Sequence, residues 1–167
     1  MKTKMLLVVA VLLLILSYLV FNPIVIDGTT STRLDLDLKV GDTVEPLSEF
    51  DFSKGDWKAF IVVNSGDNML LSENGKVLVT NDRKLLEQIQ EEWIFEYSGA
   101  DVATVQSKFF LYNGNDLMFL SQIVADSSNN GLQTIEYGWL KSKDDQRFLS
   151  QCREFTKGYL PIYWFRN

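Results

Sequence analysis

The chain has 167 residues, 46% of them hydrophobic, and its 22 acidic and 16 basic residues give a net charge of −6 at pH 7. An acidic chain lacks the basic footprint that phosphate contacts need, which argues against a nucleic-acid partner. The sequence contains no histidine, which excludes Ser-His-Asp and Cys-His catalytic sites, and its single cysteine, Cys152, cannot form an intramolecular disulfide.

The first element is an uncharged apolar run from Met5 to Phe21, and the chain stays uncharged as far as Ile26. As a helix, residues 5–26 would be about 33 Å long, which matches the ~30 Å hydrocarbon core of a bilayer. Because no A-x-A-like cleavage site follows, we interpret residues 1–26 as an uncleaved signal-anchor. A cleaved signal peptide and a buried core helix are the alternatives.

The orientation of this anchor follows from its basic flank, Lys2 and Lys4. The positive-inside rule places that flank in the cytoplasm and residues 27–167 outside it. The expected location is the inner (cytoplasmic) membrane of a bacterial envelope, crossed once, with the C-terminal domain in the periplasm or outside. This exported region carries 14 basic and 22 acidic residues, a net charge of −8.

Three strand patterns open the exported region. Residues 33–40 alternate between apolar and polar, which predicts a half-buried strand, and residues 57–63 form the continuous apolar run of a central strand. Asn74-Gly75 between two apolar runs predicts a hairpin that joins 69–72 to 76–80.

Two helix patterns follow, each with apolar residues at helical spacing. Asn81 or Asp82 can cap the first helix, which ends before Ser98, and the second runs from about Asp144 to Phe155. The apolar positions of the two helices are Leu85, Leu86, Ile89, Trp93, Phe148, Leu149, Cys152 and Phe155.

Between the helices, the sequence predicts a three-stranded meander with strands at 102–112, 117–125 and 132–140. The apolar and aromatic tail at 159–165 is predicted to be either a last edge strand or a strip that lies over the core. Together these patterns predict an α+β fold. A mainly antiparallel sheet carries two helices and is preceded by a single N-terminal transmembrane helix.

The turn after the second meander strand, residues 126–131, has oxygen-bearing side chains at the first positions of a calcium loop. The twelfth position is Tyr137, where such a loop needs a bidentate glutamate, so the turn is interpreted as a hairpin loop. The sequence has no Gly-rich phosphate loop, nucleophile elbow or zinc-ligand spacing. We therefore expect no catalytic residue, no cofactor and no metal.

These features favour a non-enzymatic protein that binds another protein at the membrane. An immunity or inhibitor protein and an accessory subunit of an envelope complex both fit, and the acidic charge is compatible with a basic partner. The candidate contacts, selected for loop position and residue type, are Asp126, Asn129, Asn130, Tyr163 and Trp164. The alternatives are an envelope enzyme that uses carboxylates alone and a sensor of small ligands or lipids.

Overall fold

A computed structural model describes residues 2–30, 37–67, 70–99, 105–134 and 138–167. These residues form an α+β structure with a mostly antiparallel sheet and three α-helices, counting the N-terminal apolar helix. The predicted α+β class with a mainly antiparallel sheet is thereby confirmed.

The N-terminal helix, α1 (Lys2–Phe21), is the single described helix that is long and apolar enough to cross a membrane. Its window from Lys4 to Phe21 has a mean hydropathy of 2.7, and none of that window is buried against the rest of the molecule. These properties fit a membrane anchor and also fit a signal sequence. The helix ends at Phe21 and does not extend over the uncharged residues to Ile26, because Pro23 lacks an N–H and disfavours helical geometry at the residue before it.

The remaining elements are short. The strands are β1 (Ile24–Asp27), β2 (Thr43–Val44), β3 (Trp57–Val62), β4 (Val77–Thr80), β5 (Phe95–Tyr97), β6 (Lys108–Asn113), β7 (Asp116–Ala125), β8 (Asn130–Thr134), β9 (Gly138–Ser142), β10 (Thr156–Lys157) and β11 (Ile162–Phe165). The other helices are α2 (Arg83–Glu92) and α3 (Asp145–Glu154), and a 3-10 turn covers Ser72–Asn74.

Nine strands form one antiparallel sheet in the order β10-β4-β3-β6-β7-β8-β9-β5-β2, while β1 and β11 form a separate parallel pair. As its continuous apolar run predicts, β3 lies inside the sheet, between β4 and β6. Neighbouring β3 residues face opposite sides of the sheet, so Ile61 joins one core cluster and Phe60 the other.

The larger core cluster lies between one face of the sheet and the two helices. Asp82 caps α2 by accepting a hydrogen bond from the Lys84 N–H at 2.9 Å, and Asp144 caps α3 by accepting one from the Arg147 N–H at 2.9 Å. All eight apolar positions predicted for these helices are buried in this cluster. We call this side of the sheet the inner face.

Two predictions for the strands were wrong. Residues 72–74 form a 3-10 turn in place of the hairpin, and β4 pairs with β3. Leu71, expected in the first strand of that hairpin, is fully buried in the core. The predicted strand at 132–140 consists of two strands, β8 and β9, which fold back on each other with Leu132 opposite Leu140.

Part of the sequence prediction lies outside the described residues. Of the predicted strand at 33–40, positions 33–36 are not described, and 37–40 form no strand. Similarly, β6 begins at Lys108, whereas the predicted strand starts at 102. Leu38 nevertheless packs against the larger core cluster, as expected for the apolar side of a half-buried segment.

Candidate partner-binding surface

The five candidate contact residues lie on two separate elements. Asp126, Asn129 and Asn130 belong to the turn between β7 and β8, whereas Tyr163 and Trp164 belong to β11. The two elements expose different kinds of side chain, so we describe them in turn.

Asp126 stabilises the β7–β8 turn. Its Oδ1 accepts hydrogen bonds from the Ser128 N–H at 2.6 Å, the Ser128 hydroxyl at 3.1 Å and the Asn129 N–H at 2.5 Å. Partial burial raises the pKa of the Asp126 carboxyl, but these hydrogen bonds outweigh it and hold the pKa below its usual range. The carboxylate is therefore committed to its own turn, as in the hairpin loop that the sequence predicts.

Asn130 and Asn129 differ in exposure. Asn130 is the first residue of β8 and is buried, whereas Asn129 is partly exposed at the turn. Of this group, Asp126 and Asn129 are the candidate residues that solvent or a partner can reach.

β1 and β11 form a two-stranded ribbon that covers the sheet on the side opposite the helices, which we call the outer face of the sheet. The Phe165 ring stacks on the Phe110 ring with 4.1 Å between centroids and 10° between planes. Tyr163 is buried in the same cluster, and Val25 of β1 packs against it. The tail is thus a strip over the core, which is one of the two structures that the sequence predicts for it.

The other side of the ribbon is apolar and exposed. In the parallel register, Ile24 lies beside Ile162 and Ile26 beside Trp164. These four side chains are between 43% and 70% exposed, with Trp164 the most exposed. We call them the apolar patch. A strand that faces water on one side normally carries polar residues there, so this composition requires an explanation.

The ribbon is also tied to the end of α1. The Lys76 ammonium donates a hydrogen bond to the Pro23 carbonyl at 3.1 Å, and the Lys157 ammonium lies 4.9 Å from the centroid of the Phe21 ring. At the other end of β1, Lys108 and Asp27 form an ion pair at 2.5 Å. The chain thus passes directly from the apolar helix onto the domain surface.

The Asp27 carboxyl is the acidic partner in the ion pair at this junction. Partial burial raises its pKa, but hydrogen bonds from Lys108 and Thr29 and the charge of Lys108 together hold the pKa below its usual range. The ionised form therefore stabilises the attachment of β1 to β6.

A groove of about 430 Å³ runs beside β11. One wall consists of Leu160 and the residues 162–166, and the opposite wall is formed by the ends of β3 and β6 and the turn after β6. The residues of that opposite wall are Lys58, Phe60, Tyr112, Gly114 and Asn115. No described residue of β1 lines the groove, so it lies on the side of β11 away from β1.

A larger cleft of about 840 Å³ lies on the β1 side of the ribbon, next to the end of α1. Asn22, Val25 and Asp27 line it from one side, and polar and apolar residues of the sheet, including Lys76 and Lys108, line it from the other. Its volume is within the range of small-molecule sites.

A third cleft, of about 400 Å³, lies between the end of α2 and the start of α3, and several acidic side chains line it. The Arg147 guanidinium forms an ion pair with Glu92 and holds the pKa of that carboxyl below its usual range. A hydrolase that uses two carboxyl groups needs one of them to have a raised pKa. The pKa of Glu92 is lowered instead, which fits a structural ion pair that links the two helices.

The buried cysteine is also structural. Cys152 is fully buried in the larger core cluster, and desolvation raises the pKa of its thiol. A thiol that stays protonated is a poor nucleophile. Within the described ranges, no group of three or more His, Cys, Asp or Glu residues could hold a metal ion.

Comparisons with protein-family models, with curated proteins and with solved structures found no match.

Sequence reasoning missed three residues that shape the ribbon surface: Ile24, Ile26 and Arg166. The sequence analysis assigned Ile24 and Ile26 to the end of the apolar anchor. The signal that separates them from the helix is Pro23, after which a strand can begin. Arg166 follows the aromatic strand and lines the groove, but its role depends on where β11 packs, which no local pattern reveals.

Proposed function

We propose that this chain is a membrane-anchored, extracytoplasmic protein-binding module without enzymatic activity. It acts as an inhibitor or immunity protein, or as an accessory subunit of an envelope complex. The observation that carries the proposal is the apolar patch on the ribbon, with Trp164 at its most exposed position. Contiguous apolar surface on a folded domain is typical of an interaction site, and tryptophan is enriched among the residues that dominate binding energy.

The junction between α1 and the ribbon supports the anchor. The chain offers no A-x-A-like cleavage site after the apolar run. β1 follows within three residues of Phe21, is hydrogen-bonded to β11 along its length and packs on the sheet. Residues from Ile24 onward thus belong to the folded domain, and Asn22 and Pro23 alone connect it to α1.

The proposed contact set is narrower than the five residues suggested by sequence. Trp164 makes the principal contact, and Asp126 and Asn129 make a second, polar contact. Tyr163 and Asn130 are buried, so they support the surface from below. The anchor confines the domain to the membrane plane, which raises its effective concentration near a partner that acts there. The net charge of −8 on residues 27–167 favours encounter with a basic partner.

The test is a cross-linking pull-down from intact cells with the full-length chain as bait and mass spectrometry as the readout. We expect one stoichiometric protein partner that is lost in Trp164→Ala and retained in Tyr159→Ala, an exposed aromatic outside the patch and the groove. Recovery of lipids and abundant envelope proteins alone would contradict the proposal.

The cleft next to α1 favours a second candidate function, a sensor of small ligands. Its volume of about 840 Å³ would hold a ligand that contacts both β1 and the sheet. Such a ligand would also contact Asn22 at the end of α1. Native mass spectrometry of the full-length chain would reveal a co-purified small molecule. Its loss in Lys76→Gln would assign it to this cleft.

A further inference from the structure

We propose that the partner binds through an extended segment that adds to the free edge of β11 and places side chains in the groove beside it. This inference rests on the proposed protein-binding function and names the form in which the partner is recognised. The occupant is one peptide strand with an apolar side chain and a carboxylate.

The backbone groups of β11 point alternately towards β1 and away from it. The Ile24 N–H donates to the Pro161 carbonyl at 3.0 Å, and the Gly28 N–H donates to the Phe165 carbonyl at 3.0 Å. In a parallel pair, alternate residues point their N–H and C=O groups to the same side. Pro161, Tyr163 and Phe165 therefore face β1, whereas Ile162 and Trp164 direct theirs away from it.

That outward direction leads to the groove. Within the described part of the chain, β1 is the one strand paired with β11, and Ile162 and Trp164 both line the groove on the other side. Unpaired backbone groups along an edge are the template for strand addition, in which the added chain gains main-chain hydrogen bonds.

The other sheet edges are protected against such addition. The end strands of the nine-stranded sheet, β10 and β2, have two residues each. The free side of β1 carries Asp27, which is paired with Lys108. By contrast, β11 presents Ile162 and Trp164, and neither carries a charge. An apolar strand edge without a partner tends to pair non-specifically with other chains. The position of such an edge beside a groove is therefore best explained by a specific partner strand.

The groove supplies the side-chain recognition. Phe60 and Tyr112, which are part of the aromatic cluster under the ribbon, line one wall, and Trp164 lines the other. Along an added strand, alternate side chains would enter this space, since side chains in a strand alternate between two faces. An apolar or aromatic side chain of the partner is the chemistry that fits it.

Arg166 supplies the charge preference. Its backbone N–H donates to the Tyr112 hydroxyl at 3.1 Å, and that hydroxyl donates to the Arg166 carbonyl at 2.8 Å, which fixes this residue at the end of the groove. The exposed guanidinium is a forked donor that matches a carboxylate. The acidity of the whole domain acts on long-range encounter, whereas this local cation acts on the short segment in contact.

The experiment uses the full-length chain in lipid nanodiscs and a phage-displayed library of random heptapeptides as the probe. Synthetic copies of enriched peptides are then measured for affinity, and residue-resolved amide hydrogen exchange follows β11. We expect enriched peptides that combine an apolar residue with a carboxylate. Their binding should newly protect the amides of Ile162 and Trp164.

Matched variants test each part. Arg166→Gln should weaken acidic peptides by about tenfold, whereas Lys141→Gln, a charge removed from β9, should leave affinity unchanged. N-methylation of the peptide amides that face β11 should abolish binding, and methylation of the alternate amides should not. These last probes leave the protein unaltered, so misfolding cannot produce the result.

Absence of enriched peptides would overturn the inference, as would peptides that bind without protecting Ile162 and Trp164. Edge-to-edge dimers of the chain, seen as a doubled mass in the nanodisc-free detergent state, would overturn it in favour of self-pairing. The cellular pull-down separates the two proposals. A partner captured through Trp164 together with a failed peptide test refutes the strand addition and leaves protein binding intact.

Discussion

The two faces of the nine-stranded sheet are covered in different ways. The inner face is sealed by α2 and α3, and its aromatic core includes Trp93, which contacts Phe148 with 4.9 Å between ring centroids. The ribbon covers part of the outer face, through the stacked pair Phe110 and Phe165, while Val105, Val124 and Trp139 form a separate buried cluster.

Under the proposed function, this difference assigns stability to the inner face and partner binding to the exposed side of the ribbon. The helices turn polar sides to solvent, so the inner core ends in an ordinary hydrated surface. The ribbon is one strand layer thick, and its second side is the apolar patch. Substitutions on the inner face should therefore change the free energy of unfolding, and substitutions on the exposed side of the ribbon should change binding. The predictions below test that separation.

The largest effect is expected at the inner face. Phe148→Ala removes a ring that is 2% exposed and leaves a cavity among aromatic neighbours, which should lower the free energy of unfolding by about 3–5 kcal/mol. Guanidinium unfolding of the full-length chain in mild detergent measures it, with Tyr159→Ala as the exposed control. A loss below about 1 kcal/mol would contradict the assignment of this cluster as the main core.

A slightly smaller effect is expected at the outer face. Phe165→Ala removes the ring stacked on Phe110, and we expect a loss of about 2–4 kcal/mol, because a thin ribbon relaxes more easily than a helix-covered core. Amide exchange should also accelerate at Ile26 and Gly28, whose N–H groups face β11. Unchanged exchange there would show that the ribbon does not depend on this stack.

The ion pair at the end of β1 predicts a pH dependence. The folded-state pKa of Asp27 lies below its unfolded value of about 4, so its stabilising contribution is present above that value. The contribution is lost as the pH falls through the folded-state pKa. Asp27→Asn should cost about 1–2 kcal/mol at pH 7 and flatten the stability profile below about pH 5.

The matched control for Asp27 is Asp56→Asn, because Asp56 pairs with Lys58 at the surface with both side chains well exposed. Such pairs contribute about 0–1 kcal/mol. Equal costs for the two substitutions at pH 7 would contradict the role given to the Asp27–Lys108 pair.

A further, smaller effect is expected at the β7–β8 turn. Asp126→Ala removes the acceptor for three hydrogen bonds and should cost about 1 kcal/mol, with faster amide exchange at Ser128 and Asn129. Ser127→Ala, an exposed neighbour in the same turn, is the control. Slow exchange retained in Asp126→Ala would show that the turn is held by the strands alone.

Local patterns predicted much of this fold. Both domain helices follow from their apolar spacing, the first also from a possible cap at Asn81 or Asp82, and all of their predicted core positions are buried. The continuous apolar run of β3 correctly indicated an interior strand. These features depend on residues within one or two turns of each other, which a sequence displays directly.

The ribbon could not be predicted in the same way. β1 and β11 lie more than 130 residues apart in the sequence, and their pairing depends on where both meet the sheet. The apolar residues of β1 continue the uncharged run of the anchor, with Pro23 as the one local sign of a break. The predicted strand at 132–140 proved to be two strands that pair with each other. Of the candidate contacts, Trp164 is highly exposed and Tyr163 is buried, an alternation that becomes predictive only once the strand's inner face is known.

The most direct test of the central claim places the photo-cross-linking residue benzoylphenylalanine at position 164 of the full-length chain in intact cells. The matched control is position 118, where Met118 is exposed on β7. Because Trp164 lies on the solvent side of the ribbon, its replacement should change the free energy of unfolding by less than about 0.5 kcal/mol. Our account predicts one specific protein adduct from position 164 and none from position 118. Equal adducts from both positions, or none from either, would contradict the claim that the ribbon is a partner-binding surface.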